Sequence, residues 1–199
     1  MCPVLQASLR NELLKIFREY PIIPSLRQEE KMQALLSSRA RVALVSSGSI
    51  FNIKTAIEKL HSRNKIALVH IDLIDGLGTD LAAIRYLKEI AKADGIVTPN
   101  RYIISAAKKE KLITIHRLFA HDTPSIETGI KILKMSKPDF IEVLPGIMVG
   151  KVISTLRKNF NQPIIGGGLV EAEKEVIEIL NAGAVAVNTS AASLWDFKS

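Results

Sequence analysis

Pro163-Ile164-Ile165-Gly166-Gly167-Gly168-Leu169 is a short β-branched run that ends in three glycines, and further along Ala184-Val185-Ala186-Val187 ends in Asn188-Thr189-Ser190. Glycine lets backbone N–H groups approach a ligand closely and takes positive φ without penalty. A Ser or Thr that opens the next helix adds a hydroxyl and the positive end of a helix dipole. In a (β/α)8 barrel the loops after the seventh and eighth strands form a frequent phosphate-binding site. The two strand ends therefore predict an architecture and a ligand class together.

Similar apolar runs recur along the chain, each followed by a helical pattern. They are Pro21–Pro24, Arg41–Val45, Ile66–Ile71, Gly95–Val97, Leu112–His116, Phe140–Val143, Pro163–Ile165 and Ala184–Val187. Their near-continuous Val/Ile/Leu content suits strands buried on both faces of a parallel sheet. Between them lie amphipathic stretches at Gln28–Ser38, Ile53–Arg63, Asp80–Ala91, Tyr102–Glu110, Ser125–Met135, Met148–Lys158 and Glu171–Leu180. Thr79 is placed to cap the third, Thr123 with Pro124 fits an N-cap and first-turn pair, and Gly183 fits a helix stop. Leu5–Phe17 reads as an extra helix placed to cover a barrel floor.

Strict β–α alternation implies a parallel α/β fold. Eight units with short loops favour a compact TIM barrel, (β/α)8, over an open flavodoxin-like sheet, which would use only five or six of the runs. No linker or repeat divides the chain. The expectation is one barrel domain over 1–199, with the extra helix in 1–20 and the β/α barrel in 21–195.

Composition sets the class. The 199 residues are 47% hydrophobic and 24% charged, as in a soluble globular protein. No apolar stretch approaches the roughly 20 residues of a membrane span, and no secretory signal pattern opens the chain. Its single cysteine, Cys2, excludes an internal disulfide framework or a cysteine metal cluster. A cytoplasmic protein is expected. The net charge of +7 is uneven: residues 101–166 carry eleven Lys/Arg against five Asp/Glu, and residues 167–199 two against five. Phosphates, RNA or simple solubility would each fit.

Polar residues at the ends of the runs are the candidate functional groups. Asp72 and His70 share one side of the third strand. Asp72 can accept from ligand hydroxyls or hold a cation, or it can merely order the loop behind it. His70 suits a hydrogen-bonded interior residue, and Asp75 and Asp80 suit turn and helix-start roles. Arg117 is placed to fork onto a phosphate, or to pair with Asp122 or Glu142. Glu142, in an otherwise apolar strand, requires a partner or a ligand, and Asp72 with Glu142 would make an acid/base pair. No run holds a lysine beyond the leading Lys65, so a Schiff-base lysine is missing. Nucleophile elbow, Walker loop and His-Glu-x-x-His are absent as well. No catalytic residue, metal site or cofactor is expected.

His70-Ile-Asp-Leu-Ile-Asp-Gly, Ala93-Asp-Gly-Ile-Val-Thr, Arg117-Leu-Phe with Asp122 and Ser125, and Lys137-Pro-Asp-Phe-Ile-Glu-Val-Leu-Pro-Gly146 resemble one family in order and spacing. So do Pro163–Leu169 and Ala184–Ser190 with Leu194-Trp195. The chain resembles the glycerol uptake operon antiterminator regulatory proteins from about Pro21 to Trp195. That resemblance implies a barrel that takes glycerol 3-phosphate as effector and binds leader mRNA to regulate glycerol uptake and utilisation genes by antitermination. The ligand site it implies includes Asp72, Arg117, Glu142, Gly166, Gly167, Gly168, Thr189 and Ser190. Thr98-Pro99-Asn100-Arg101 departs from the family's more basic or hydroxyl-rich turn, and Pro99 removes a donor there. Ser46-Ser47-Gly48-Ser49-Ile50 matches only loosely.

No RNA-recognition motif is visible, and 5% aromatic content argues against a base-stacking platform. Basic clusters that would track an RNA backbone are Lys108 and Lys109 with Lys111, Lys131 with Lys134 and Lys137, and Arg157-Lys158; the first is the candidate RNA contact. Each also fits a solvated helix end whose cations complement the dipole. A homo-oligomer fits this reading. The competing reading is a barrel enzyme acting on a small phosphorylated sugar or polyol, and a third is a degenerate, phosphate-binding scaffold.

Overall fold

Eight parallel strands close into a barrel in chain order in a computed structural model, which describes residues 4–197, with side chains from residue 8. Cys2 lies outside the described residues. The strands are β1 (Ile22–Leu26), β2 (Val42–Val45), β3 (Ile66–His70), β4 (Gly95–Thr98), β5 (Ile113–Phe119), β6 (Phe140–Leu144), β7 (Ile164–Gly167) and β8 (Ala186–Thr189). Closure comes from β1 against β8, where Ile22, Ile23 and Pro24 face Val187, Asn188 and Thr189.

Each of β1, β5, β7 and β8 runs two or three residues beyond its apolar stretch. Hydrophobicity stops where side chains turn polar at the mouth, but the backbone ladder does not. Pro24 lacks a donor, yet the pairing continues through Ser25 and Leu26 to Leu44 and Val45.

The helices are α1 (Val4–Glu19), α2 (Met32–Ser37), α3 (Ile53–His61), α4 (Leu81–Arg85), α5 (Arg101–Lys109), α6 (Thr123–Ser136), α7 (Val149–Asn159) and α8 (Glu173–Asn181). Two of the predicted helices are not continuous. Residues Glu29–Lys31 form a 3-10 turn ahead of α2, and α4 widens into a π-turn at Tyr86–Ile90. There the Tyr86 hydroxyl donates to Ile50 O at 3.0 Å, which ties the helix to the loop after β2.

Two caps also differ from expectation. Asp80, not Thr79, caps α4 by accepting from Ala83 N–H at 2.8 Å. Asp122, not Thr123, caps α6, accepting from Ser125 N–H at 2.8 Å while Ser125 Oγ accepts from Asp122 N–H at 3.1 Å. A carboxylate satisfies the orphan N–H groups and complements the helix dipole at once, which a threonine cannot do. Gly183, at φ +107°, ends α8 as expected. Thr189 and Ser190 do not open a helix: only a 3-10 turn, Ala192–Leu194, follows β8.

Inward side chains of all eight strands, among them Ile23, Leu44, Leu68, Val97, Ile115, Phe140, Ile165 and Ala186, fill the barrel. Leu13, Ile16 and Phe17 of α1 join this layer and close the floor. Phe17 meets Phe140 edge-on, with ring centroids 6.0 Å apart, an arrangement that adds about 0.5–1.5 kcal/mol to simple burial. Outward strand residues pack the surrounding helices in two further layers. Trp195 latches the C-terminal turn, donating from Nε1 to Thr189 O at 3.0 Å.

Candidate functional site

Above the apolar layer the inward positions turn polar. On β6 the inward row reads Phe140, Glu142, Leu144, and on β8 it reads Ala186, Asn188. Glu142 is 1% exposed. A carboxylate at that depth is tolerated only when paired and hydrogen-bonded, and both its oxygens are engaged. Arg117 Nε donates to Oε2 at 2.6 Å and Asn188 Nδ2 donates to Oε1 at 2.5 Å. Arg117 and Glu142 are direct partners in the β5–β6 ladder. Gly167 leaves room for the carboxylate, since a Cβ there would lie 2.4 Å from Oε1.

Of the two pairings open to Arg117, the structure selects Glu142; Asp122 is spent on its helix cap. Glu142 is bonded to Arg117 and Asn188 and not to Asp72. Asp72 stands in the 3-10 turn after β3, with Oδ2 3.6 Å from His70 Nδ1.

A cavity of about 150 Å³ opens at the C-terminal mouth of the barrel. That is roughly five water volumes, the scale of a small metabolite. Arg27 and Arg117 supply two guanidinium groups, Ser25, Ser46 and Ser190 supply hydroxyls, and Asn188 supplies an amide. Gly168 completes the polar wall, and Leu73 and Leu144 are its apolar part. Ser25 and Ser46 hydroxyls lie 2.9 Å apart. The turns after β7 and β8 thus meet on one cavity, through Gly168 and Ser190.

Two buried polar atoms here have no hydrogen-bond partner among the described residues: Asn188 Oδ1 and His70 Nδ1. Burial, then the charges of Arg117 and Arg27, push the His70 pKa down to about 3. His70 is therefore neutral at pH 7, and the cationic character of the mouth belongs to the two arginines.

The remaining predicted residues have other placements. Gly166 faces outward, where a Cβ would lie 2.5 Å from Ile179 Cγ2, so this glycine lets α8 seat on β7. Gly168 has φ +75° and Leu169 φ +56°, which turns the chain sharply, and Gly168 O accepts from Gly146 N–H at 3.0 Å. The Thr189 hydroxyl is buried. It donates to Val170 O at 2.7 Å and accepts from Ala191 N–H at 3.0 Å, binding the last two loops to each other. Lys108, Lys109 and Lys111 lie at the end of α5 and just beyond, at the opposite end of the barrel.

Ser25, Arg27, Ser46 and Asn188 escaped the sequence reading. The first apolar run ends at Pro24, two residues short of the end of β1, so Ser25 belongs to the strand and Arg27 follows it directly. Asn188 stands two residues after Ala186, and that spacing alone was enough to turn it inward. Among the described residues no cluster of His, Cys, Asp and Glu can hold a metal ion, and no helix is long and apolar enough to cross a membrane.

The profile of the family described as glycerol-3-phosphate responsive antiterminator matches residues 22–195. An uncharacterized protein of Escherichia coli (strain K12), YgcP, is 34% identical over 183 residues, which is 92% of this chain and 95% of that protein. Among solved structures, a glycerol uptake operon antiterminator regulatory protein from Listeria monocytogenes superposes with a TM-score of 0.85 at 31% identity, covering 90% of this chain and 96% of that one. A glycerol uptake operon antiterminator-related protein from Thermotoga maritima gives 0.79 at 34% identity, covering 88% and 97%.

Proposed function

Because the chain belongs to the glycerol-3-phosphate responsive antiterminator family, we propose that it is a regulator whose effector, glycerol 3-phosphate, binds in the mouth cavity and controls binding to leader mRNA. The observation that carries this is the cavity itself, where two guanidinium groups, the positive-φ turn at Gly168 and the Ser190 hydroxyl surround one small space. Arg27 with the Gly168 and Ser190 turns receives the phosphate, because charge-assisted donors are the strong ones for a dianion. Arg117, held by Glu142, is oriented toward the same group.

Asn188 Oδ1, buried and unpartnered among the described residues, is an acceptor. A glycerol hydroxyl supplies the donor it needs, and a phosphate oxygen does not. Ser25 and Ser46 hydroxyls complete the polyol end. Thr189 takes part through the loop it anchors, and Asp72 stands in the turn after β3, next to the Leu73 of the cavity wall.

Regulation rather than catalysis is the reading favoured here, with no cofactor. Lys65, the lysine nearest a strand, is buried at the floor and donates to Ser38 O and Ala40 O at 2.7 and 2.6 Å. It cannot reach a ligand at the mouth. Glu142 is buried, ion-paired to Arg117 and bonded to Asn188, which suits a carboxylate that orients its neighbours better than one that takes up a proton. For the effector to control RNA binding, it must favour one state of the protein over another.

Isothermal titration calorimetry with glycerol 3-phosphate in phosphate-free buffer tests the reading. Saturable one-site binding is expected, with glycerol and inorganic phosphate each far weaker than the joined molecule. Absence of heat and of any thermal stabilisation by glycerol 3-phosphate would overturn it.

A further inference from the structure

The sequence separates its lysines into patches, and the fold merges two of them. A cleft of about 500 Å³ opens at the N-terminal end of the barrel, where the loops leading into β6 and β7 lie. Lys108 from the end of α5, Lys134 and Lys137 from the end of α6, and Arg10 from α1 stand on its walls. Lys108 Nζ donates to Lys137 O, which holds the ends of α5 and α6 side by side. The one acid on the wall, Asp139, is already engaged: its Oδ2 accepts from Thr114 N–H at 2.9 Å and Thr114 Oγ1 at 2.7 Å.

Helix-dipole complementation accounts for Lys108 and Lys134 taken singly. It does not account for Arg10, which comes from the middle of a different helix and lines the same concavity. Four cations against one carboxylate around one groove make a net positive potential suited to a polyanion. Asn161 and Gln162 add amide donors to the same wall. The aromatic on the wall, Phe160, is buried and offers no stacking face, so the cleft suits phosphates and not base edges.

We propose that this floor cleft is the surface that grips the RNA backbone. The inference rests on the reading that the chain binds RNA, and it assigns the contact to Arg10, Lys108, Lys134 and Lys137. Lys109 and Lys111, the other members of the candidate cluster, do not line it. The cleft and the effector cavity sit at opposite ends of the barrel. Helix α1 joins the cleft to the barrel's apolar layer: Arg10 lies in the cleft, and Leu13, Ile16 and Phe17 pack into the barrel interior with Phe140, two residues before Glu142.

Fluorescence anisotropy of a labelled in vitro transcript of the host's glycerol-uptake leader, with polyuridylate as a sequence-free probe, tests the assignment across a salt series. The variant Lys134→Gln/Lys137→Asn removes two cleft cations, asparagine being suited to the left-handed conformation of residue 137. Lys151→Gln/Lys174→Gln removes two exposed cations from α7 and α8 as the control. The cleft variant is expected to bind both RNAs at least about tenfold more weakly, with a log–log salt slope shallower by about 2. The control is expected to stay near wild type. Lys134→Gln alone, at an exposed position, supplies the same comparison with a slope change of about 1 if the double variant does not fold.

Equal affinity and slope for cleft and control variants overturn the proposal and leave the groove to another partner, such as an acidic protein surface. Wild-type protein that binds neither RNA overturns it together with the RNA-binding reading. If wild type binds RNA through the cleft without regard to glycerol 3-phosphate, the cleft assignment stands and the effector-controlled reading fails.

Discussion

Arg117 and Glu142 face each other across the β5–β6 ladder, with guanidinium Nε 2.6 Å from carboxylate Oε2. The pair is nearly dry, with side chains 14% and 2% exposed. Removing one partner leaves a charge uncompensated in a medium that cannot solvate it. Glu142→Leu is therefore expected to cost roughly 3–5 kcal/mol of unfolding free energy. Arg117→Met/Glu142→Leu is expected to recover much of that loss while abolishing effector binding. Urea unfolding of Glu142→Leu, Arg117→Met and the double variant checks the first part and calorimetry the second. If the double variant is as unstable as the two single losses added together, the pair is not coupled as described.

The three consecutive glycines answer to three different constraints, so alanine at each should fail differently. Gly166→Ala drives a methyl into Ile179 on α8, and overpacking of this kind costs about 1–3 kcal/mol. Gly167→Ala displaces the Glu142 carboxylate and should reduce both stability and effector affinity. Gly168→Ala puts a side chain at φ +75°, costing about 1–2 kcal/mol and reshaping the cavity wall. Thermal melts with and without glycerol 3-phosphate separate these: the effector's stabilising shift should survive in the first variant and shrink in the other two. An unchanged shift for Gly168→Ala would remove that turn from the site.

How much of this was legible beforehand follows from what each signal reports. Apolar runs located all eight strands, because a closed parallel barrel buries both strand faces. The same signal ended β1 and β5 too early, since strand ends at a mouth carry Ser25, Arg117 and Phe119 in place of Val and Ile. The Gly-Gly-Gly run lies at the barrel mouth, as expected of a turn after the seventh strand, and its glycines serve helix seating, carboxylate clearance and a turn in that order. Thr189 looked like a ligand hydroxyl and is a loop clamp, because only the fold brings Val170 O within its reach. Asn188 owes its position to the side-chain alternation of β8 past its apolar run, and Arg27 to the turn just beyond the end of β1.

Acid should weaken the fold through its interior histidines. His116 Nε2 donates to Pro99 O at 3.0 Å and Nδ1 lies 2.9 Å from Ser136 Oγ, an arrangement the neutral ring satisfies. Burial lowers its pKa to about 4, and that of His70 to about 3. The folded values lie below the unfolded value near 6.5, so the unfolded chain takes up protons first. Stability contributed by keeping both rings neutral is complete above about pH 6.5 and is lost as pH falls toward 4 and then 3. The full effect is on the order of a few kcal/mol per ring. Asp122 and Glu175, whose pKa values are lowered by backbone hydrogen bonds, lose their contribution in a lower window, as pH falls below the usual carboxylate range. Chemical unfolding between pH 7 and pH 4 should show the histidine slope, and His116→Gln should flatten part of it. A profile identical to wild type would show that His116 is not held neutral.

Arg27 offers the sharpest separation of binding from folding. It is exposed, whereas Arg117 is tied to a buried carboxylate. Neutralising it should leave stability within about 0.5 kcal/mol, as at most surface sites. A charge-assisted hydrogen bond to a phosphate contributes about 1.5–3 kcal/mol. Arg27→Gln is therefore expected to weaken glycerol 3-phosphate binding by about 10- to 100-fold with an unchanged melting temperature. Competition sharpens the test, because inorganic phosphate should displace the effector from wild type and lose that ability in the variant, while any weak binding of glycerol itself persists. Should the variant bind glycerol 3-phosphate as tightly as wild type, the phosphate end of the ligand does not lie against Arg27, and Arg117 with the Gly168 and Ser190 turns would have to hold the dianion alone.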